Sequence, residues 1–285
     1  SAPTPGADSF AGRLRKQDGR SALRARQEAP LTHWLPKRIL PVLMDHRIGD
    51  CAGGDPRLWV SIETFSRHLR WIQSRGLQTL SLDGAYECFR SQRASAKTVL
   101  ITFDDAFAET LEVAAPLLQQ HGMRSTVFVP AGLLGEMATL KAEGDSTDSV
   151  SKGQIVDEDG LRKWVGAGQE VGSHSLTHGD LTTASPDTVR REAEGSKQRL
   201  EQVLDRPVLD FCYPFAHHDA PARRIVSEAG YRAAYAGEPP TADLFALPRM
   251  MVYPTDSEQR FARKLSGFYY WISAWHGRLQ WARSR

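Results

Sequence analysis

The stretch 98–105 constrains the fold of this chain more than any other part of its sequence. Residues 98–103, Thr-Val-Leu-Ile-Thr-Phe, are apolar or β-branched without interruption, which is typical of a strand buried on both faces. Two adjacent carboxylates, Asp104 and Asp105, follow directly, at the position where α/β proteins build their sites. Two carboxylates in a dry pocket need a cation or a shared proton, so the stretch predicts one of these two arrangements. A helix N-cap is the simpler alternative; it explains one aspartate and leaves the second without a role.

The rest of the chain alternates between strand-like apolar runs and helical patterns. We predict strands at 39–44, 79–82, 98–103, 126–130, 170–174, 208–213, 232–236 and 246–252. Helices are predicted at 61–76, 109–121, 187–204 and 220–229, with a further helix ending at 161–166. The polar stretch 136–152 is expected to form a loop. Alternation of this kind predicts a single α/β domain with mostly parallel strands, and strands that end on polar clusters favour a (β/α) barrel over an open sheet.

The two ends of the chain differ in composition from the middle. Residues 1–34 are rich in Arg, Gln, Ala, Ser and Pro and predict a flexible N-terminal extension. The folded domain is expected at 35–258. The C-terminal segment, 259–285, combines basic and aromatic residues, and from Phe261 onward it contains no acid. This mixture suits either a helix lying on a membrane surface or a terminal helix packed on the domain, and we favour the second.

Composition excludes several classes of protein. The net charge of +2 is too near neutral to indicate a nucleic-acid binder. The three cysteines, Cys51, Cys88 and Cys212, are odd in number and widely spaced, so they predict no disulfide framework. No run is long and apolar enough to span a bilayer, and the N-terminus lacks the apolar core of a signal peptide. Cytoplasmic and cell-envelope locations both stay open, as does the oligomeric state.

A second polar cluster, His174-Ser-Leu-Thr-His178, begins at the last residue of the predicted strand 170–174. Two imidazoles four residues apart can face one cation on a helix or in a turn at a strand end. Parallel strands bring this cluster to the edge that carries Asp104 and Asp105. Two histidines and one carboxylate are typical of a catalytic metal site that keeps positions open for water. Two surface loop histidines are the alternative, which the joint placement disfavours.

These motifs resemble those of a known family. Thr102-Phe-Asp-Asp105 followed by Ser173-His-Ser-Leu-Thr-His178 is similar to the first two motifs of the polysaccharide deacetylases, carbohydrate esterase family four. The runs 41–46 and 211–215 extend the likeness, which spans roughly 41–252. The family implies a distorted (β/α) barrel and a divalent metal, usually zinc. It also implies the removal of N- or O-acetyl groups from sugars, and we expect an N-acetylated glycan as the substrate.

The resemblance implies roles for single residues. Carried over position by position, Asp105, His174 and His178 are the metal ligands and Asp104 is the general base. The metal supplies Lewis-acid chemistry, and Asp104 would accept a proton from the attacking water.

The third motif, Tyr213-Pro214-Phe215, is implied to border the reacting group. The backbone N–H of Phe215 is expected to face the developing oxyanion. Tyr213 and Pro214 are expected to shape the groove beside it.

This sequence departs from the family pattern at the residue that holds the base. Many members have Arg-x-Pro-Tyr as the third motif, with the Arg on the base, but Cys212 stands at that Arg position here. The chain is closer to a branch that has a small residue before Tyr-Pro. Arg249, in Leu247-Pro248-Arg249, ends a late strand and is a candidate to orient Asp104 instead; an ordinary surface ion pair is the alternative.

A second departure concerns the general acid. The family's late Leu-x-His is not evident, and Arg249, which stands at about that place, cannot donate a proton at neutral pH. His217, His218 and His46 are the candidate substitutes, although each alone also fits a solvated loop histidine. Asp45 stands where relatives often have Tyr, which predicts a change in the polarity of the pocket.

Three functions are compatible with these residues. The complete set of two aspartates and two histidines favours a metal-dependent hydrolase that deacetylates an N-acetylated sugar. The second function is that of a homologue that binds metal and carbohydrate but has lost turnover; the absence of the family's general acid favours it. A hydrolase of another amide, such as a cyclic ureide, is the third.

Overall fold

The computed structural model describes residues 39–51, 53–141, 150–237 and 243–269 of the 285-residue chain. The predicted N-terminal extension lies outside the described residues, as does the part of the C-terminal segment after residue 269. The described strands are β1 Val42–Asp45, β2 Arg47–Ile48, β3 Trp59–Val60, β4 Gln78–Thr79, β5 Thr98–Phe103, β6 Thr126–Val129, β7 Met137–Lys141, β8 Val150–Gln154, β9 Glu170–Ser173, β10 Asp210–Cys212, β11 Ala233–Tyr235 and β12 Met250–Met251. The described helices are α1 Ile62–Ser74, α2 Leu82–Ser91, α3 Ala108–Gln120, α4 Glu158–Gly166, α5 Pro186–Leu204, α6 Ala220–Glu228 and α7 Glu258–Lys264.

The main sheet is parallel and follows the order β11-β10-β9-β6-β5-β1-β12, with β4 paired to β5 off this path. An additional parallel bridge joins Tyr235, in β11, to Leu247 just before β12. The two edges of the sheet therefore approach each other, and helices cover the outside. This confirms the predicted α/β class and the distorted barrel with mostly parallel strands.

Strand β5 forms at the residues predicted, and all six of its residues are buried. Its side chains alternate between two cores, as the period of two requires. Val99, Ile101 and Phe103 belong to the larger core, together with apolar residues of the helices α1 and α3. Leu100 belongs to the smaller core, which consists mainly of strand residues and fills the barrel interior. Thr102 and then Asp104 continue the inward-facing row toward the carboxyl edge of the sheet.

The polar stretch 136–152 was expected to be a loop, and that expectation is wrong. The strands β7 and β8 pair antiparallel across it, while residues 142–149 lie outside the described part. Polar composition does not prevent pairing because Arg47 fixes β8 from outside, donating to Ser151 Oγ at 2.7 Å and to the Lys152 carbonyl at 2.9 Å. The guanidinium of Arg47 lies between the rings of Trp59 and Phe107, 4.2 and 3.8 Å from their centroids.

Most of the predicted strands are shorter in the structure, and two of them are reduced to two residues each. The strand expected at 79–82 ends at Thr79, because Ser81 accepts a hydrogen bond from Gly84 N and begins helix α2. The strand expected at 246–252 is reduced to Met250–Met251. Local capping and barrel closure override the apolar pattern in these places.

The described part of the C-terminal segment packs on the domain. The Phe261 ring of α7 stacks on the buried His68 ring of α1, with centroids 3.9 Å apart. Lys264 donates to Asp256 and to the Met251 carbonyl. Contact with a membrane surface stays a prediction for the residues after 269, which lie outside the described part. Within the described chain, no helix combines the length and the apolar character needed to cross a membrane.

Asp45 is a buried carboxyl beside this helix. It ends β1 on the face that also carries Leu43 of the larger core, and its Oδ1 makes no hydrogen bond to the described residues. Burial raises the pKa of Asp45 to about 8; Asp256 and Asp104 add to the rise, and Lys264 opposes it. The polar group that Asp45 introduces therefore interacts with Lys264 of α7.

We predict that Asp45→Asn changes how stability depends on pH. The folded state holds the Asp45 proton more tightly than the unfolded chain does. The protonated carboxyl therefore contributes fully to the stability of the wild type below the ordinary pKa of 3.8, and this contribution to stability is lost as the pH rises through about 8. The difference in free energy of unfolding between Asp45→Asn and the wild type is measured at pH 5 and at pH 8. It should be more favourable to Asp45→Asn at pH 8 than at pH 5 by at least ~1 kcal/mol, since one pKa unit corresponds to about 1.4 kcal/mol. Urea denaturation at the two pH values measures it. The exposed control Asp50→Asn should follow the wild type, and parallel curves for Asp45→Asn and wild type would contradict the prediction.

Candidate active site

Three loops meet at the carboxyl edge of the sheet, after β5, β9 and β10. Among the described residues, eight non-glycine residues have a left-handed backbone. Six of them lie in these loops: Asp105, Ala106, Ser175, His178, Phe215 and Ala216. The other two, Gln92 and Asp205, close helices. Each left-handed non-glycine residue costs free energy that the surrounding structure must offset, and such residues cluster at functional sites.

The predicted metal ligands come together in the buried interior of this edge. Asp105 Oδ1 lies 3.1 Å from His178 Nε2 and 3.6 Å from His174 Nε2, and all three residues are buried. Two ligand atoms that share one ion at about 2.1 Å lie roughly 3.0–3.5 Å apart. One carboxylate oxygen and two imidazole nitrogens at these separations fit a divalent cation. The alternative of two solvent-exposed loop histidines is excluded by their burial.

His174 is prepared to offer Nε2 to a cation. Its Nδ1 lies 2.9 Å from the Cys212 carbonyl oxygen, an acceptor that selects the tautomer with the proton on Nδ1. Burial lowers the pKa of His174 to about 4, with Asp104 opposing the fall. The imidazole is therefore neutral at physiological pH, which is the form that binds metals.

Asp105 is ionised in the same environment. Burial is the largest single effect and raises the pKa of Asp105, but the neighbouring imidazoles, His178 foremost, together outweigh it and hold the pKa below the ordinary value. His46 and His174 act in the same direction. A negatively charged oxygen between two imidazole nitrogens is the arrangement that a cation would complete.

Arg249 forms a bidentate hydrogen-bonded ion pair with Asp104. Nη1 and Nη2 each donate to one carboxylate oxygen at 2.7 Å, and the side chains of both residues are fully buried. Arg249 Nε donates to the Ala236 carbonyl at 3.1 Å. The alternative of a surface ion pair at Arg249 is excluded by this burial, and parallel bidentate hydrogen bonds are the strongest geometry for an Arg–carboxylate pair.

This pair keeps Asp104 charged. Burial raises the pKa of Asp104, yet the guanidinium of Arg249 and the imidazole of His174 together hold it well below its usual range. The Asp104 carboxylate lies 4.0 Å from His174 Nε2, beside the group of predicted ligands and outside it. An ionised carboxylate in this position can accept a proton from a neighbouring water.

A second group of possible ligands overlaps the first. Cys212 Sγ lies 3.9 and 3.8 Å from the two Asp104 oxygens, and Asp104, His174 and Cys212 could also hold a cation. Asp104 already accepts two short bonds from Arg249, which compete for its lone pairs. The group of Asp105, His174 and His178 is the better cation site on this ground.

The third motif forms a tight turn beside His178. The Phe215 ring lies 4.9 Å from the His178 ring, centroid to centroid, and the Phe215 N–H makes no hydrogen bond within the described part of the chain. Tyr213 and Pro214 are buried. The Tyr213 hydroxyl donates to the Phe245 carbonyl at 3.1 Å, and its N–H donates to the Tyr235 carbonyl. Among Tyr213, Pro214 and Phe215, the backbone N–H of Phe215 is the one that can donate to a ligand.

The three candidate proton donors occupy different surroundings. His46 is buried at the end of β1, and its imidazole lowers the pKa of both Asp104 and Asp105. His217 is exposed, with Nδ1 2.9 Å from Asp180 Oδ2. The His218 ring packs against Tyr213 with centroids 5.4 Å apart, and burial lowers its pKa. Of the three, His46 is the one whose imidazole acts electrostatically on both Asp104 and Asp105.

Sequence reasoning missed a residue that holds the histidine loop. Glu192 of α5 accepts from Leu176 N and Thr177 N at 2.9 and 2.8 Å, and from Thr177 Oγ1 at 2.7 Å. Its position on the buried face of α5, with Val189, Ala193 and Ser196, was the available signal. A glutamate on the apolar face of an amphipathic helix needs a partner.

Comparisons with known proteins point to one family. The sequence model of the polysaccharide deacetylase family matches residues 91–234, just over half of the chain. The Bacillus subtilis (strain 168) protein named "Putative polysaccharide deacetylase YxkH" is 26% identical over 227 residues, 78% of this chain and 74% of that protein. The poly-beta-1,6-N-acetyl-D-glucosamine N-deacetylase of Staphylococcus aureus (strain MRSA252) is 20% identical over 217 residues, 74% of this chain and 73% of that protein.

A solved structure shares the fold. The Streptococcus pyogenes deacetylase PplD in complex with acetate superposes with a TM-score of 0.68 at 22% identity, covering 79% of this chain and 97% of that chain. The matched range 91–234 contains both aspartates of the site and both histidines. This chain belongs to the polysaccharide deacetylase family.

Proposed function

We propose that this protein hydrolyses the acetamide of N-acetylated sugars in a glycan, with a divalent metal, Zn²⁺, held by Asp105, His174 and His178. The observation that carries the proposal is a charged, buried Asp104 directly beside the group formed by the Asp105 carboxylate and the two imidazoles. The name of the Staphylococcus aureus relative, which specifies poly-β-1,6-N-acetylglucosamine, supports an N-acetylhexosamine polymer as the substrate class.

The metal, when bound, supplies Lewis-acid chemistry: it polarises the acetyl carbonyl and makes a water more acidic. Asp104 then takes the proton of the water that adds to the carbonyl carbon. Arg249 keeps the Asp104 carboxylate charged and fixed in orientation. The Phe215 N–H donates to the carbonyl oxygen as negative charge develops there.

The carbon–nitrogen bond breaks next, and the leaving nitrogen needs a proton to depart as an amine. We assign this proton donor to His46, because it lies near both carboxylates and is shielded from solvent. Acetate and a free amino sugar are the products, and water is the second reactant. Arg249 has no part in this proton transfer because its guanidinium does not deprotonate.

Two other functions stay as alternatives. A homologue that binds metal and glycan without turnover would have the same ligands; measurable acetate release from a panel of N-acetylhexosamine glycans excludes it. A hydrolase of another amide would release no acetate from any glycan and would act on a cyclic ureide.

We predict one tightly bound divalent metal per chain. His174→Ala and His178→Ala should each lose most of the zinc that the wild type retains after dialysis, measured by elemental analysis. The matched control His217→Ala changes a histidine outside the group and should keep the wild-type zinc content. Wild-type zinc in both His174→Ala and His178→Ala would remove the metal from this site.

We predict that Asp104→Asn separates turnover from metal binding. Asn keeps size and polarity but cannot accept the proton, and general-base catalysis is typically worth about 100- to 10,000-fold. Acetate release should fall on that scale, while zinc content stays near that of the wild type. A variant with zinc and near-full activity would show that Asp104 is not the base. Loss of both would make Asp104 a ligand.

We predict that Arg249 stabilises the fold through Asp104. Arg249→Met leaves a buried carboxylate without its partner and should lower the free energy of unfolding by about 3–5 kcal/mol. The double variant Arg249→Met/Asp104→Asn should lose less than the sum of the two single variants. Urea denaturation measures all three. Arg90→Met, which breaks the exposed pair with Glu87, is the control and should leave the free energy of unfolding nearly unchanged. Additive losses at Arg249 and Asp104 would contradict the coupling.

A further inference from the structure

The loop 175–177 joins the two proposed histidine ligands, and groups on two sides hold it in place. On one side, the Ala131 N–H donates to the Ser175 carbonyl at 3.0 Å. The Gly132 N–H, one residue further along, donates to the Leu176 carbonyl at 2.8 Å. Ala131 and Gly132 lie just after β6, whereas the loop follows β9. The path of the loop is therefore tied to two neighbouring strands of the barrel.

The other side of the loop faces the carboxylate of Glu192, on the buried face of α5. Glu192 Oε2 accepts from the N–H groups of Leu176 and Thr177 at 2.9 and 2.8 Å, and Glu192 Oε1 accepts from Thr177 Oγ1 at 2.7 Å. Ser175, just before these donors, has a left-handed backbone with a φ of 65°. Successive N–H groups in a turn of this kind form a concave site for an anion. The carboxylate of Glu192 supplies that anion from a position that is 8% exposed.

The side chain of Leu176 fits between two glycines. A Cβ atom at Gly132 would lie 2.7 Å from the Leu176 carbonyl oxygen and 3.1 Å from its Cγ. A Cβ atom at Gly195, within α5, would lie 3.2 Å from Leu176 Cδ2. A glycine inside a helix costs about 1 kcal/mol relative to alanine, and this close approach accounts for its presence in α5. The loop thus has no room to shift toward Gly132.

These contacts maintain a backbone that is unfavourable by itself. Ser175 and His178 both have left-handed conformations, which non-glycine residues keep only when the surrounding structure offsets their cost. His178 Nε2 lies 3.1 Å from Asp105 Oδ1 in this arrangement. A loop released from Glu192 would relax toward commoner backbone conformations and carry the His178 ring away from Asp105.

We infer that Glu192 is a positioning residue of the metal centre. Its carboxylate holds the loop 175–177 so that His174 and His178 are spaced for one cation before the cation binds, and Glu192 thereby sets the affinity of the site for the metal. The inference rests on the proposed function, which places the metal at these histidines. A site that already has its binding geometry loses less conformational freedom when the ligand arrives.

The test measures the zinc dissociation constant by competition with a chromogenic chelator. Glu192→Ala should bind Zn²⁺ about 10- to 100-fold more weakly than the wild type, the usual effect of losing a residue that orients metal ligands. Glu192→Gln keeps one acceptor oxygen without the charge, so its affinity should lie between the two. Gly132→Ala presses on the loop from the opposite side and should weaken Zn²⁺ binding by about tenfold.

The visible spectrum of the Co²⁺-saturated protein separates positioning from a purely structural role. The ligand-field bands of Co²⁺ depend on the coordination geometry, so they should shift or lose intensity in Glu192→Ala. A residue that contributes only to the stability of the fold would leave the spectrum of the folded, metal-saturated protein unchanged. Weaker Zn²⁺ binding together with the wild-type Co²⁺ spectrum would therefore overturn the inference, as would the wild-type Zn²⁺ affinity in Glu192→Ala.

Two matched controls come from the same classes of residue. Glu194→Ala removes an exposed glutamate of α5 that pairs with Arg190. Gly166→Ala adds a Cβ atom that meets nothing within 4 Å. Both should keep the wild-type Zn²⁺ affinity and Co²⁺ spectrum. Thermal melting of the metal-free proteins identifies a variant that fails to fold, and Glu192→Gln then decides in place of Glu192→Ala.

Failure of the proposed function gives a different result. In that case the wild type binds Zn²⁺ and releases no acetate from any N-acetylated glycan, while the Zn²⁺ affinities of the Glu192 variants still decide the inference. A wild type that binds no Zn²⁺ at the two histidines would overturn both.

Discussion

The buried pair of Arg249 and Asp104 is the interaction on which both the barrel and the site depend. Arg249 stands just before β12 at one edge of the sheet, and its Nε bonds the carbonyl of Ala236, which follows β11 at the other edge. The same guanidinium holds Asp104 at the end of the central strand β5. One side chain therefore helps to close the barrel and keeps the proposed base charged. The cost of burying two charges is met only because both carboxylate oxygens and three guanidinium nitrogens have partners.

The strained loops around this pair are held from outside the barrel. Glu192 of α5 accepts three hydrogen bonds from the loop between His174 and His178. Arg47 packs on Phe107, directly after the turn of Asp105, and bonds the strand β8. Such supports allow non-glycine residues to keep left-handed conformations at the site. Ligand orientation is thus determined by helices and a hairpin that never touch the proposed cation.

The sequence predicted the fold class and the position of the site because both depend on local patterns. Strand β5 is an uninterrupted buried run, and the two aspartates and two histidines follow predicted strands. The hairpin β7–β8 could not be predicted, since a side chain that donates hydrogen bonds to β8, Arg47, lies about a hundred residues away in the sequence. For Arg249 the sequence left two alternatives open, a contact with Asp104 and a surface ion pair. Closure of the barrel decides whether Arg249 is buried, and no local sequence pattern encodes that closure. Glu192 was missed for a similar reason: its partners are backbone groups of another loop.

Anomalous diffraction at the zinc edge, from crystals of the zinc-loaded protein, tests the central claim most directly. The account predicts one strong peak within about 2.0–2.2 Å of Asp105 Oδ1, His174 Nε2 and His178 Nε2, with Asp104 bound to Arg249 and outside the coordination sphere. A peak coordinated by Asp104, His174 and Cys212, or a peak away from both groups, would contradict the assignment of ligand and base.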